Sequence, residues 1–223
     1  MTTTTTRPDG AAPRALNICV FCGARPGAAP EAAELARQVG SLIGQRGHAL
    51  VYGAGGSGLM GEVAWAASRN GAALAGYTPR FLYERELAIA APDQVLHLTD
   101  DMFERKRRMV AHADAFLALP GGYGTLDEVF EVLTLNCLDV TPKPLILVDE
   151  EFWAPVVAVI DSLQRSGFAG QGKGALFETA PNAIEAVMLA ELLLADDADA
   201  TGPAVPAQGG ENLRPTKSAS SRY

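Results

Sequence analysis

The sequence predicts an α/β protein with a Rossmann-like, doubly wound and mostly parallel sheet in a single domain. Short apolar segments alternate with amphipathic helical segments along the chain. The 223 residues suit one domain, and 48% of them are hydrophobic, which is enough to form a core. Glycine-rich turns follow two of the apolar segments, where parallel sheets place their ligand-binding loops.

The predicted elements follow one another in the order that a wound sheet requires. The segments predicted as strands are 17–23, 49–53, 72–77, 115–119 and 145–148. The segments predicted as helices are 29–46, 59–70, 103–112, 125–138, 152–165 and 181–194. Gly47 and Gly71 supply stop signals at the ends of the first two helices.

The two ends of the chain differ in composition from the part between them. Residues 1–14 and 196–223 are rich in Thr, Ser, Pro, Gly and Ala and show no apolar periodicity. Such segments bury too little apolar surface to offset the entropy of ordering them. We therefore predict disordered tails at 1–14 and 196–223 on either side of a folded domain at 15–195.

The charge balance argues against several classes of partner. The formal net charge is −8 and the sequence pI is about 4.9, whereas proteins that bind nucleic acid show a basic face. No apolar run approaches the roughly 18 residues of a membrane span, and no signal peptide is recognisable. We expect a cytoplasmic protein without nucleic-acid or membrane partners. A small anionic ligand fits, because local donors can hold an anion in an acidic protein.

Cys19 and Cys22 have the C-x-x-C spacing of redox and zinc sites. They lie in a predicted strand, however, where residues three apart point to opposite faces. No second cysteine pair exists to complete a zinc site, and the three histidines are scattered. We interpret both cysteines as core residues, and we expect no metal and no cofactor.

The first glycine-rich turn, residues 53–61, contains the dinucleotide-binding pattern G-x-G-x-x-G. It follows the second predicted strand instead of the first, and no Asp or Glu ends the third strand to bind a ribose 2'-hydroxyl. NAD or NADP binding is therefore not expected. One open interpretation is that helix N–H groups bind an anion or substrate here. The other is a tight turn that needs small residues. The residues concerned are Gly55, Gly56, Gly58, Met60 and Gly61.

The second glycine-rich turn, residues 120–128, reads PGGYGTLDE and joins a strand to a helix. Its glycines allow the backbone to approach a phosphate closely, and the positive end of the helix dipole points to the same place. No lysine follows the last glycine, so this is not a Walker loop, and metal-assisted triphosphate chemistry is not expected. Thr125 is expected to cap the helix or to donate its hydroxyl to the phosphate.

Glu128 and a basic segment are the candidates for chemistry beside this loop. Glu128 either completes a capping box with Thr125 or acts on the bound ligand. In the segment 104–108, ERKRR, a helix places Arg105 and Arg108 on one face. Arg105, close to the helix start, is the candidate functional cation. The residues Lys106, Arg107 and Arg108 also fit a solvated helix face.

Four segments of the chain resemble the LOG family, the cytokinin riboside 5'-monophosphate phosphoribohydrolases. They read FCGARPG, VYGAGGSGLMGEVA, MFERKRRM and DAFLALPGGYGTLDEVFEVLT, and the similarity extends over residues 17–195. The resemblance implies a Rossmann-like fold, a homodimer or larger assembly, and hydrolysis of a nucleotide to base and ribose 5-phosphate. The chain departs from the family pattern at Phe103, where relatives have His, at residues 135–139, and at Thr141-Pro142.

The resemblance also implies roles for individual residues. Arg105 and Glu128 match the catalytic pair of the family. The implied substrate-binding residues are Glu86, Lys106, Gly121, Gly122, Tyr123, Gly124, Thr125, Leu126, Asp127 and Thr134. Some relatives carry the label lysine decarboxylase, but no lysine of this chain lies in a recognisable cofactor-binding context.

The expected function is therefore hydrolysis of the N-glycosidic bond of AMP or of an N6-substituted AMP. The alternative is a carrier that binds a nucleotide or a molybdenum cofactor without turning it over, as other proteins of similar fold do. The presence of both Arg105 and Glu128 favours the enzyme. A carrier needs donors for a phosphate but no acid beside the sugar.

Overall fold

Seven parallel strands form one sheet in the part of the chain that the computed structural model describes, residues 14–84, 94–140, 142–170, 172 and 174–200. The strands are β1 (Asn17–Phe21), β2 (Ala49–Tyr52), β3 (Leu74–Pro79), β4 (Gln94–Thr99), β5 (Ala115–Ala118), β6 (Leu145–Val148) and β7 (Glu178–Ala180). The helices are α1 (Pro30–Gln45), α2 (Gly58–Arg69), α3 (Arg80–Tyr83), α4 (Met102–His112), α5 (Tyr123–Cys137), α6 (Glu150–Arg165) and α7 (Ala183–Ala200).

The strand order is β4-β3-β2-β1-β5-β6-β7, so the direction of winding reverses between β1 and β5. The chain builds outward from β1 to β4 and then crosses to the other side of β1. Ile18 pairs with Ala115 and Phe21 with Ala118, so β1 and β5 end side by side. The loops that follow these two strands leave in opposite directions and open a crevice, the usual ligand site of such sheets.

Each face of the sheet is covered by its own layer of helices. On one face, Ile18 and Val20 of β1 belong to the core under α1, α2 and α7. On the other face, Cys19 and Phe21 belong to the core under α4, α5 and α6. Strands buried on both faces in this way read as the continuous apolar runs from which they were predicted.

The prediction for the two cysteines is confirmed. Cys19 and Cys22 are buried, form no disulfide, and pack into cores on opposite faces of the sheet. Burial raises the pKa of both thiols well above its ordinary value. They are therefore inert core residues.

The predicted fold class is confirmed, and every predicted strand and helix is present, but the sequence missed the edges of the sheet. The sheet is wholly parallel, and β4 and β7 extend it on either side. β4 is only partly buried, so it shows no continuous apolar run, and β7 has only three residues. Both therefore lacked the signal by which the inner strands were recognised.

Two helices have different ends from those predicted. α5 begins at Tyr123, two residues before the predicted start, because extended Gly122 is its N-cap. α7 runs from Ala183 to Ala200 and so continues past the predicted start of the C-terminal tail at residue 196. Within the described residues, none of the helices combines the length and the apolar character needed to cross a membrane.

Trp153 connects α6 to the strand that leads into the second glycine-rich loop. Its side chain is fully buried, and its indole Nε1 donates a hydrogen bond to the carbonyl of Ala118 at 3.0 Å. Ala118 is the last residue of β5. The indole thus fills the core and satisfies a carbonyl at the point where the sheet gives way to the loop.

We expect Trp153→Ala to lower the free energy of unfolding by about 3–5 kcal/mol, the usual cost of deleting a buried aromatic side chain. Urea denaturation followed by far-ultraviolet circular dichroism measures it. The matched control is Phe168→Ala, because Phe168 is 87% exposed, and we expect a change within about 0.5 kcal/mol. Equal effects of the two substitutions would contradict this account of the core.

Candidate active site

A cavity of about 800 Å³ opens where β1 and β5 end. Its walls include the loop after β1 (residues 23–27), the glycine after β2 (Gly53) and the loop after β5 (residues 120–125). A smaller cavity of about 380 Å³ between α1 and α7 lies away from every residue that the sequence singled out. The larger cavity is therefore the candidate active site.

Gly23 fastens the three loops together. Its N–H donates to the carbonyl of Pro120 at 3.1 Å, which joins the loop after β1 to the loop after β5. Its carbonyl accepts hydrogen bonds from the N–H groups of Leu59 and Met60, at 3.0 and 3.4 Å, at the start of α2. The main chain alone thus sets the shape of this wall of the cavity.

Helix α4, which carries Arg105, is fixed at both ends. At its start, the side chain of Asp101 accepts a hydrogen bond from the N–H of Glu104 at 2.8 Å, and Glu104 accepts one from Asp100 at 2.7 Å. At its end, Lys143 Nζ donates to the carbonyls of Val110 and Ala113 at 2.8 and 2.7 Å. The position of the helix, and therefore of Arg105, is well defined.

Arg105 is held by three separate segments of the chain and is only 8% exposed. Its Nε donates to the carbonyl of Tyr77 in β3 at 3.0 Å, and its Nη1 donates to Glu128 Oε1 at 3.0 Å. Its Nη2 lies so close to Gly53 that a Cβ there would overlap it. Gly53 is thus needed for the close approach of the guanidinium.

Glu128 lies in the second turn of α5 and is also 8% exposed. Burial raises the pKa of its carboxyl group, and the adjacent Arg105 guanidinium opposes this without cancelling it. The alternative that Glu128 forms a capping box is wrong, because Gly122 is the N-cap and no side chain caps α5. The carboxylate instead pairs with Arg105 at the cavity wall.

The N-terminus of α5 faces the same cavity. The N–H groups of Tyr123, Gly124 and Thr125 belong to its first turn, and among the described residues they have no acceptor. Of the two roles expected for Thr125, capping of the helix is wrong, because Gly122 is the N-cap. Thr125 is buried inside the first turn and lines the cavity, so donation of its hydroxyl to a phosphate stays a prediction. The helix start is therefore available to an anion.

The structure brings most of the implied substrate-binding residues together, and places others elsewhere. Those that line the cavity are Gly121, Gly122, Tyr123, Gly124, Thr125 and Leu126. Thr134 lies further along α5, where it is exposed and donates to the carbonyl of Phe130 at 2.7 Å. Glu86 lies outside the described residues.

Lys106 and Asp127 are paired with each other and do not line the cavity. Lys106 Nζ lies 2.9 Å from Asp127 Oδ2 and 2.8 Å from Glu131 Oε2. Burial lowers the pKa of this amine, but the two carboxylates raise it by more. These ion pairs fasten α4 to α5 directly beside the Arg105–Glu128 pair.

The alternative of a solvated face for residues 106–108 fits only two of them. Arg107 and Arg108 are exposed, and Arg108 forms an i,i+4 ion pair with Glu104. The side chain of Lys106 is only 10% exposed. For Lys106 the solvated interpretation is wrong, because its amine bridges two helices.

The structure favours one of the two interpretations of the first glycine-rich loop. The N–H groups of Leu59 and Met60 already donate to Gly23 and are not free for an anion. Gly58 has φ +60° and lies against the carbonyl of Ala24, where a Cβ would overlap it. This loop is a tight turn, and of its residues Gly53, Leu59 and Met60 line the cavity.

The sequence did not single out the loop after β1 as part of the site. Residues 23–27 line the cavity, as do the apolar side chains of Cys22, Leu59 and Phe152. The rule that ligands bind where the strand order reverses would have indicated this loop, because β1 adjoins β5. Among the described residues, no group of three or more His, Cys, Asp or Glu side chains is arranged to hold a metal ion.

A family model and two similar proteins point to the same family. The model of the family described as "possible lysine decarboxylase" matches residues 60–189. The chain is 39% identical to cytokinin riboside 5'-monophosphate phosphoribohydrolase LOG7 of Arabidopsis thaliana, over 76% of this chain and 78% of that protein. It is 38% identical to cytokinin riboside 5'-monophosphate phosphoribohydrolase LOG of Oryza sativa subsp. japonica, over 78% of this chain and 72% of that protein.

Two solved structures share the fold at low sequence identity. The molybdenum cofactor carrier protein of Chlamydomonas reinhardtii has a TM-score of 0.63 at 21% identity, over 82% of this chain and 99% of that one. The molybdenum cofactor binding protein of Rippkaea orientalis has a TM-score of 0.62 at 21% identity, over 81% and 98%. These similarities concern the fold alone. By the family model and the closely similar relatives, the chain belongs to the LOG family of phosphoribohydrolases.

Proposed function

We propose that this chain hydrolyses the N-glycosidic bond of a nucleoside 5'-monophosphate, AMP or an N6-substituted AMP, to free base and ribose 5-phosphate. The observation that carries the proposal is the buried Arg105–Glu128 pair, which shares one cavity with the open N-terminus of α5. The names of the similar phosphoribohydrolases support the same reaction.

The phosphate of the substrate binds at the start of α5. The N–H groups of Tyr123, Gly124 and Thr125 and the helix dipole together favour an anion there. A Cβ on Gly122 or Gly124 would meet nothing within 4 Å, so the backbone of this loop is open to a ligand. Phosphate binding is remote from the bond that breaks and orients the sugar relative to Glu128.

The base occupies the apolar part of the cavity. Leu59, Met60 and Phe152 present apolar side chains there, which suit a planar base better than the charged sugar phosphate. Phe152 is partly exposed at the start of α6. The phosphate and the base thus lie on either side of the ribose.

Hydrolysis breaks the bond between ribose C1' and the base nitrogen. Positive charge develops on the sugar, and the buried carboxylate of Glu128 stabilises it or orients the attacking water. The hydroxyl of that water bonds to C1', and its proton ends on the departing base. No other carboxylate lines the described cavity, so this role falls to Glu128.

Arg105 acts mainly through Glu128. Its hydrogen bonds to the carbonyl of Tyr77 and to Glu128 fix the carboxylate in place. Its positive charge favours the ionised carboxylate against the effect of burial. A neutral, protonated Glu128 would stabilise a cationic sugar far less well.

The first experiment offers the purified protein a panel of nucleoside 5'-monophosphates and follows base release by chromatography. We expect release of adenine from AMP, or of the modified base from an N6-substituted AMP. Adenosine lacks the phosphate that α5 binds and should react much more slowly. Equal rates on AMP and adenosine would contradict the assignment of the phosphate site.

We expect Glu128→Gln to lower turnover by about a hundredfold or more, while AMP binding persists. The amide keeps the size of the side chain and can still accept from Arg105, but it carries no charge. Turnover comes from base-release assays and affinity from titration calorimetry. Asp161→Asn is the control, because it removes an exposed carboxylate of α6 outside the cavity and should leave turnover unchanged. Unchanged turnover in Glu128→Gln would contradict the catalytic role of Glu128, whereas binding of AMP without base release by the unmodified protein would favour a carrier.

The raised pKa of Glu128 predicts a pH dependence. The active form is the carboxylate, so kcat/KM falls as pH decreases through the pKa of Glu128 in the free enzyme. Because that pKa is raised, we expect the fall at a higher pH than an exposed glutamate would give. In Glu128→Gln the residual activity should lack this acidic limb. A fall in kcat/KM at the pH where an exposed glutamate titrates would contradict the prediction.

A further inference from the structure

The charges on the cavity wall do not balance among themselves. Three charged side chains line it: Arg25, Arg105 and Glu128. Arg105 and Glu128 form a buried ion pair and neutralise each other. Among the described residues Arg25 makes no ion pair and no side-chain hydrogen bond, and its side chain is exposed at the cavity. The cavity therefore carries one positive charge that the protein itself does not compensate.

The backbone of Arg25 lies next to the start of α5. Gly23, two residues earlier, donates to the carbonyl of Pro120 at 3.1 Å, and a Cβ on Gly23 would lie 3.6 Å from the Cα of Gly121. The loop after β1 and the loop after β5 are thus in direct contact. The side chain of Arg25, on the loop after β1, can therefore approach an anion bound at the N–H groups of α5.

The position of this loop is also fixed from its other side. Gly58, at the start of α2, lies against the backbone of Ala24 and Arg25, and a Cβ there would overlap both residues. The backbone around Arg25 is therefore held between the two glycine-rich loops, while its exposed side chain has no ion-pair partner among the described residues. Such an arrangement presents an unpaired guanidinium from a well-defined backbone position.

We infer that Arg25, on the loop after β1 beside the start of α5, binds the 5'-phosphate of the substrate together with the N–H groups of α5, and so contributes to selection of nucleotides over nucleosides. This inference rests on the proposed function. A phosphate monoester is a dianion at neutral pH, and the partial charge of one helix N-terminus neutralises it only in part. A guanidinium supplies a full charge and two parallel N–H donors, a geometry that matches phosphate oxygens.

The contact lies far from the bond that breaks, so it stabilises the bound substrate and the transition state equally. Loss of such a contact raises KM and leaves kcat almost unchanged. This separates Arg25 from Glu128, whose loss lowers kcat. It also separates Arg25 from a structural residue, whose loss would lower the melting temperature.

The test compares Arg25→Ala, Arg25→Lys and Arg165→Ala with the unmodified protein. We expect Arg25→Ala to raise KM for AMP by about tenfold to a hundredfold, the range for a charged hydrogen bond. Its kcat, its melting temperature and its kcat/KM for adenosine should stay unchanged. Arg25→Lys should recover part of the loss, because an ammonium keeps the charge without the planar donors. Arg165→Ala removes an exposed arginine at the end of α6, outside the cavity, and should have no effect.

An unchanged KM for AMP in Arg25→Ala, or equal losses on AMP and adenosine, would overturn the inference. If the unmodified protein releases base from no nucleotide, the proposed function fails, and titration calorimetry with ribose 5-phosphate still tests Arg25. Weaker binding of that ligand by Arg25→Ala than by Arg165→Ala would support the inference. Equal binding, or no binding to the unmodified protein, would overturn it.

Discussion

The candidate active site depends on removing two opposite charges, those of Arg105 and Glu128, from water. Burying a charge is costly unless it is paired and its remaining hydrogen-bonding groups are satisfied. Arg105 is paired with Glu128 and donates a further hydrogen bond to the carbonyl of Tyr77, and Gly53 leaves room for its guanidinium. These partners lie on α5, in β3 and directly after β2. The pair therefore requires the centre of the sheet to be assembled with α4 and α5 packed against it.

The ion pairs of Lys106 help to set the geometry of the Arg105–Glu128 pair. Lys106, the residue after Arg105 on α4, forms ion pairs with Asp127 and Glu131 of α5. Asp127 directly precedes Glu128, so two adjacent pairs of residues join the two helices. Lys143 holds the far end of α4 through the carbonyls of Val110 and Ala113. The position of Arg105 relative to Glu128 is thus set by more than their own contact. Lys106 is better understood as a link between these helices than as a direct ligand of the substrate.

The sequence predicted those features that rest on local patterns. Apolar runs revealed the strands that are buried on both faces, and alternation along the predicted strand 17–23 placed Cys19 and Cys22 in separate cores. The edge strands β4 and β7 were not predicted. β4 is only partly buried and β7 is short, so neither contains a continuous apolar run. At the site, the resemblance indicated Arg105 and Glu128, but no local pattern could reveal that Lys106 turns toward Asp127. The contribution of the loop after β1 likewise follows from strand order, which is a property of the whole chain.

The two glycine-rich loops look alike in sequence but differ in where their helix N–H groups point. At α2, the N–H groups of Leu59 and Met60 donate to the carbonyl of Gly23, so the start of this helix is bonded to the loop after β1. At α5, the first N–H groups remain open toward the cavity. A carrier would need only the second arrangement, because donors suffice to hold a phosphate. The buried carboxylate of Glu128 beside them would repel that anion and gain nothing for binding. Its presence is understandable if positive charge develops on the bound sugar, as it does when the base departs.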